Sequence, residues 1–271
     1  MAEFALETIF KRETLVVAFA LLTLAVLAWL VLLAGAGTGM DTLAMSGWLL
    51  PLGGAAAQSW SWTPSYWLIA FFMWTIMMVA MMLPSASPMV LLYSRVVRQA
   101  ERKGQITNAG GSIAAFAGSY LALWSLFSVF AVAVQWALER TGAMNGMMAL
   151  REPFIAGGLL VAVGVYQLTP LKENCLTHCR SPVAFLATHW RPGPIGAWRM
   201  GVAHGAYCVG CCAALMLLLF VGGVMNLVWI AGLSLLVLAE KFLPRGERLS
   251  MALGVLMMIA GAGLIASGIA Y

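Results

Sequence analysis

Seven mostly apolar stretches alternate with short polar segments along the chain of 271 residues. A helix needs roughly 20 such residues to cross the hydrocarbon core of a bilayer, which is about 30 Å thick. Six stretches have no Asp, Glu, Lys or Arg in their interior, and the sixth in chain order carries Glu240 and Lys241 at its end. The pattern predicts an all-α, polytopic transmembrane helix bundle of about seven spans, at residues 15–33, 66–83, 113–138, 154–171, 200–224, 227–242 and 250–270.

Turn and helix-breaking residues divide these stretches. Pro84 and Pro88 are expected to break the second helix and leave a short inner segment that ends in a basic run. Residues 221–226, with the sequence Val-Gly-Gly-Val-Met-Asn, are expected to form a tight hairpin turn. No internal repeat or low-complexity linker is evident, so we expect a single integral membrane domain over residues 1–271.

The basic residues predict the orientation of the bundle. Cytoplasmic loops carry an excess of Lys and Arg. With the N-terminus in the cytoplasm, only Arg140 and Arg151 of the 15 Lys and Arg residues fall outside. The sequence therefore predicts a cytoplasmic N-terminus and a C-terminus on the outer side.

Composition narrows the class of protein. Hydrophobic residues make up 62% of the chain and charged residues only 9%, and the mean hydropathy is +0.93. These values exclude a soluble globular enzyme, a disordered chain and a disulfide-rich secreted scaffold. The net charge of +5 is attributed to topology and to anionic lipid headgroups, so a nucleic-acid partner is not expected. No phosphate-binding loop, catalytic triad or buried carboxylate pair is evident, and we expect a protein that is not an enzyme.

All five cysteines and all three histidines lie in one window, between Cys175 and Cys212. On a helix with 100° per residue, the group within the fifth stretch shares a stripe about 100° wide. That group comprises His204, Cys208, Cys211 and Cys212. A second group, comprising Cys175, His178 and Cys179, follows the fourth stretch as either a helix or a loop. Both groups are expected near the cytoplasmic half of the bilayer. Gly201 and Gly205 are expected to let a neighbouring helix approach this face closely.

Thiolate and imidazole are ligands of soft and borderline metal ions. Zinc favours four closed ligands, such as Cys175, Cys179, Cys208 and Cys211, whereas Cu(I) is content with two or three soft ligands. The reducing cytoplasm would keep the thiols free for a metal. The alternative is that these cysteines only pack as small hydrophobic side chains.

Methionines cluster near the same predicted end of the bundle. Met77 and Met81 share one helix face in the second stretch, and a thioether suits Cu(I) but is a poor ligand for Zn²⁺. Copper is therefore favoured over zinc, with the Met77–Met82 segment as an entry or exit path. The alternative is that methionine is an apolar gap-filler here.

These motifs resemble the bacterial "predicted metal-binding integral membrane proteins" over residues 66–271. The resemblance rests on Trp74-x-x-Met77-x-x-Ala80-Met81-Met82-Leu83-Pro84, on Tyr166-Gln167-Leu168-Thr169-Pro170-Leu171-Lys172, and on Gly205-x-Tyr207-Cys208-x-Gly210-Cys211-Cys212. Cys175, Cys179, Met225-Asn226-Leu227 and Glu240-Lys241 also match. The resemblance implies a metal-binding protein of the bacterial inner membrane.

Three functions remain open from the sequence. The first is a membrane protein that binds copper or another soft ion and delivers or transports it, with a membrane or soluble protein partner. The second is an accessory or scaffold subunit of a larger membrane complex. The third is a thiol-redox relay through Cys208 and Cys211, although Cys-x-x-Cys within a membrane helix is a weak pattern.

Overall fold

The computed structural model describes residues 2–39, 41–47, 50–53 and 61–269, with side chains described from residue 14 onward. These ranges contain helices and no β-strand, as the fold prediction requires. Met144 and Leu150 form an isolated antiparallel bridge. The helices are α1 (Ala2–Leu33), α2 (Thr42–Met45), α3 (Pro64–Arg102), α4 (Ala109–Arg140), α5 (Pro153–Gln167), α6 (Pro170–Arg180), α7 (Pro182–His189), α8 (Gly193–Leu217), α9 (Leu219–Gly222), α10 (Leu227–Phe242) and α11 (Gly246–Ile269).

Five of these helical segments are long and apolar enough to cross a membrane: residues 14–33 of α1, then α3, α4, α8 with α9, and α11. The pair α5 and α6 qualifies together but bends by 64° between its helices. Helix α10 has 16 residues, fewer than the roughly 20 needed to span a bilayer. The count of seven spans and the orientation therefore stay predictions. Residues 270 and 271, where the last stretch ends, lie outside the described ranges.

Helix α3 corrects the prediction of a break at Pro84 and Pro88, because it runs through both prolines. A proline inside a helix lacks the N–H that would bond the carbonyl four residues earlier. The Ser87 hydroxyl supplies a donor instead, since its Oγ donates to the Pro84 carbonyl at 2.8 Å. That carbonyl is the acceptor that Pro88 leaves without an N–H, so the helix continues to Arg102.

The helix predicted at residues 154–171 ends earlier than expected, and α6 follows it as a separate helix. Helix α5 stops at Gln167, and α6 begins with Pro170 in its first turn. The side chain of Thr169 accepts a hydrogen bond from the Lys172 N–H at 3.3 Å and caps α6. Proline and an N-cap threonine are typical of a helix start. The Cys175–Cys179 group therefore lies on a helix that turns away from α5.

Glycines set the closest helix contacts. A Cβ atom on Gly157 would come within 2.6 Å of the Gly261 carbonyl oxygen, and one on Gly164 would come equally near that of Gly254. Helices α5 and α11 thus pack backbone to backbone, as small residues allow in membrane bundles. A Cβ on Gly201 would clash with the Phe116 carbonyl, so α4 approaches α8 closely. This confirms the close approach expected at Gly201, and the neighbour is α4.

Candidate metal centre

Helix α8 carries three fully buried cysteines, and α6 adds a fourth that is 9% exposed. The Sγ atoms of Cys179, Cys208 and Cys211 all lie within 4.8 Å of one another. The Cys179 and Cys211 sulfurs are 3.8 Å apart. We call these three residues the thiol cluster. All five cysteines of the chain are free, so the cluster presents thiols rather than a disulfide.

The other two cysteines lie beside the thiol cluster and do not belong to it. The Cys212 sulfur is 3.2 Å from that of Cys211, but the close group of sulfurs does not include it. Cys175 is half-buried one turn before Cys179 on α6. A Cβ on Gly210 would lie 2.7 Å from the Cys175 sulfur, so this glycine leaves room for the thiol against α8. The structure does not assemble the four-cysteine set considered for zinc.

The histidines also lie outside the thiol cluster. His204 is 3% exposed, and its Nδ1 has no hydrogen-bond partner within the described ranges. Its ring lies against aromatic rings, with centroid distances of 5.4 to 6.1 Å to Phe185, Tyr120 and Phe116. The ring of His178 stacks on that of Tyr207 with centroids 4.2 Å apart. The structure therefore places both rings against aromatic side chains, and no sulfur–imidazole group forms among the described residues.

The predicted methionines are buried in the apolar core that also contains the cysteines. Met77 and Met81 have no exposed surface and belong to the apolar cluster that also contains Cys179, Cys208 and Cys211. Met82 is linked to the cluster through Tyr120, whose hydroxyl lies 3.4 Å from the Met82 carbonyl oxygen and 3.2 Å from the Cys208 sulfur. Helix α3 is thus linked to the thiol cluster through the Met82 backbone carbonyl, and Met77 and Met81 lie in the same apolar core.

Lys241 is the charged group at the cluster, and the sequence analysis did not identify it as part of the site. Its Nζ lies 3.1 Å from the Cys208 sulfur and donates to the Ser85 hydroxyl at 2.9 Å. Lys241 is 8% exposed. An ammonium group that donates to sulfur complements a thiolate, which is the form of cysteine that binds metal. The sequence feature that could have indicated this role is a lysine at the end of an apolar helix.

A second buried lysine holds α6 to its neighbours. Lys172 Nζ lies 2.7 Å from Glu240 Oε2 and also donates to the Cys211 carbonyl. Gln167 donates to the other carboxylate oxygen of Glu240 at 2.8 Å. The ion-pair partner of Glu240 is thus Lys172 on α6 and not its neighbour in the chain, Lys241. The bonds from Lys172 link α6 to α8 and α10, and they fix the helix that carries Cys179.

The thiol cluster offers soft sulfur ligands in an apolar environment beside one ammonium group. Such a site suits a soft ion such as Cu(I), because thiolates are soft ligands and Cu(I) accepts two or three of them. A family model described as "PpoB2: Copper chaperone" matches residues 71–264. The chain belongs to this copper chaperone family. No curated protein and no solved structure gives a significant match.

The copper chaperone match covers nearly the same stretch as the resemblance found in the sequence, and it contains every cysteine and histidine. Together with the thiol cluster, it supports a copper- or metal-binding role. It also indicates a metal-binding protein of membrane type, with which the long apolar helices are compatible.

Proposed function

We propose that this protein binds one Cu(I) ion as cargo through the sulfurs of Cys179, Cys208 and Cys211 and delivers it to a protein partner. The observation that carries the proposal is the convergence of these three sulfurs within 4.8 Å. Membership of the copper chaperone family supports the choice of metal. Binding and delivery of an ion require no catalytic step, so the proposed role needs no catalytic residue.

The number of ligands favours Cu(I) over zinc. Structural zinc sites are almost always closed by four ligands. Within the described ranges, no fourth Cys, His, Asp or Glu atom joins the thiol cluster. Cu(I) is satisfied by two or three soft ligands, and three thiolates in an apolar environment meet that need.

Cys175 supports a route by which the ion enters. It is half-buried, and it lies one helical turn from Cys179 on the same helix. Residues four apart on a helix are neighbours on one face. An ion captured by Cys175 would therefore pass to Cys179 by exchanging one thiolate for another. We propose that this entry at Cys175 faces the cytoplasmic side of a bacterial inner membrane.

The proposal is tested by metal content. The full chain is purified in mild detergent, reduced, loaded anaerobically with Cu(I), freed of excess metal and analysed for copper and zinc. We expect about one copper per chain, and less than about a tenth in a variant with Cys179, Cys208 and Cys211 all replaced by serine. Cys212→Ser replaces a neighbouring thiol outside the thiol cluster, and as the matched control it should keep about one copper. Equal loading of the triple variant, or zinc in place of copper, would refute the proposal.

A further inference from the structure

A polar group at the far end of the bundle lies against a buried methionine. Gln135, which is fully buried, donates from Nε2 to Glu139 Oε1 at 2.9 Å and also lies 4.0 Å from the Met148 sulfur. Its Oε1 accepts from the Trp74 Nε1–H at 2.8 Å. The Trp62 Nε1–H donates to the second Glu139 oxygen at 3.0 Å. A thioether and a carboxylate are therefore held together at one place.

The Glu139 carboxyl group is buried and accepts its hydrogen bonds from two uncharged donors. It is 8% exposed, and no ion pair joins it to a lysine or arginine within the described ranges. Buried carboxylates are rarely left without a cationic partner or a metal ion. Both carboxyl oxygens of Glu139 thus accept a hydrogen bond. A bound cation would balance the negative charge of the ionised carboxylate.

The loop that carries Met148 is held in a strained form. Met148 has a φ of +55°, which costs energy for a residue with a side chain. Asn145 fixes the loop, because its Oδ1 accepts from the N–H groups of Met147 and Ala149 at 3.0 and 3.1 Å. The result is that Met148 is 3% exposed and Met144 is fully buried. Strain of this kind is found where the position of a side chain matters for function.

Helix α3 connects this group to the thiol cluster. Met73, Met77 and Met81 recur every four residues on one face and have no exposed surface, so their rise is about 6 Å per step. At one end, Met82 is joined through Tyr120 to Cys208. At the other end, Trp74 is joined through Gln135 to Met148. All these methionines belong to one continuous apolar cluster that also contains Met144 and Cys208.

We propose that Met148, Met144 and Glu139 form a second Cu(I) site, an exit station at the end of the bundle opposite the cysteines, which binds more weakly than the thiol cluster and empties when free metal is removed. The thioethers would supply soft ligands, and the carboxylate would balance the charge of the ion. The methionine face of α3 lines the way between the two sites. The proposal rests on the proposed function in one respect, the choice of a soft monovalent ion as cargo.

The test uses Ag(I), a soft monovalent ion that is inert to redox change, and the full chain with ¹³C-labelled methionine methyl groups. NMR spectra are recorded as Ag(I) is added, and the Met148 and Met144 signals are assigned by their loss in Met148→Leu and Met144→Leu. We expect both signals to shift in the native chain and also in the variant with Cys179, Cys208 and Cys211 replaced by serine. Glu139→Gln should weaken the response about tenfold, because it removes the compensating charge.

Met89 is the matched control. It is 2% exposed but belongs to the other apolar cluster, which contains no cysteine. Its methyl signal should stay fixed throughout. Met148 and Met144 signals that do not move at three equivalents of Ag(I), or that move no more than that of Met89, would overturn the second site. Since the serine variant lacks the thiol cluster, this outcome is distinct from a failure of the cysteine site, which shows in copper loading.

Discussion

Two buried lysines at the cysteine end of the bundle differ in what faces their charge. Lys172 pairs with the Glu240 carboxylate at 2.7 Å. Lys241 is the next residue after Glu240, yet its ammonium group faces the Cys208 sulfur at 3.1 Å and the Ser85 hydroxyl. Within the described ranges, no carboxylate pairs with it. The charge of Lys172 is thus balanced by a carboxylate, whereas the charge of Lys241 faces a cysteine sulfur.

This difference assigns separate tasks to Lys172 on α6 and Lys241 on α10. A buried ion pair that also bonds a backbone carbonyl holds helices together, and its charges cancel. A lone ammonium beside sulfur stabilises the negative charge that thiolates bring when they bind a metal. Lys172 should therefore matter for the fold and Lys241 for the ion.

Removal of Lys172 should have the largest effect. Lys172→Met leaves the Glu240 carboxylate buried without its cation, and breaking such a pair costs about 3–5 kcal/mol in the free energy of unfolding. Unfolding of the full chain in mixed micelles measures this loss. The double variant Lys172→Met with Glu240→Leu should recover much of it, because no unpaired charge remains. Stability unchanged in Lys172→Met would show that the pair is not structural.

Removal of Lys241 should act on copper instead. Lys241→Met should weaken Cu(I) affinity about 10- to 100-fold, because hydrogen bonds to charged groups contribute about 1.5–3 kcal/mol. Competition with a Cu(I) chelator under anaerobic conditions measures the change. Lys172→Met is the crossed comparison, and its folded fraction should lose less affinity than Lys241→Met, because Lys172 bonds Glu240 and the Cys211 carbonyl rather than a sulfur. If Lys172→Met weakened copper more than Lys241→Met, the division of tasks would be wrong.

Removal of the Tyr120 hydroxyl should have a smaller effect. Tyr120→Phe deletes the contact at 3.2 Å with the Cys208 sulfur and keeps the ring. A neutral hydrogen bond contributes about 0.5–1.5 kcal/mol, so copper affinity should fall about two- to tenfold. The same chelator competition applies, with Tyr207→Phe as the control. A loss as large as that of Lys241→Met would mean that the hydroxyl, rather than the ammonium, supports the thiolate.

Replacement of Cys212 should have the smallest effect. Cys212→Ser changes a sulfur 3.2 Å from Cys211 that is not part of the thiol cluster. Affinity for Cu(I) should fall by less than about threefold, whereas Cys208→Ser should lower it about 100-fold. A loss for Cys212→Ser that equals the loss for Cys208→Ser would place Cys212 among the ligands.

The sequence predicted the parts of this account that depend on local pattern. The length of the apolar stretches predicted an all-helical fold, and the spacing of Cys208 and Cys211 placed both thiols on one helix face. The close approach at Gly201 also followed from residue size alone. These features need only helix geometry and the thickness of a bilayer.

The rest depends on contacts between distant parts of the chain. Tyr120 reaches Cys208 across 88 positions, and Lys172 reaches Glu240 across 68. No local pattern shows which of two adjacent residues, Glu240 or Lys241, turns toward the cysteines. The continuity of α3 through Pro88 depends on the Ser87 hydroxyl, a donor that a rule based on proline alone does not consider.

The central claim is that three cysteine sulfurs hold one Cu(I) ion, and X-ray absorption at the copper edge tests it most directly. The full chain is loaded anaerobically with Cu(I), freed of excess metal so that only the thiol cluster is occupied, and compared with the variant in which Cys179, Cys208 and Cys211 are serine. The account predicts a Cu(I) edge with only sulfur in the first coordination shell, and loss of that sulfur shell in the variant. A shell of nitrogen or oxygen, or a sulfur shell that persists in the variant, would contradict it.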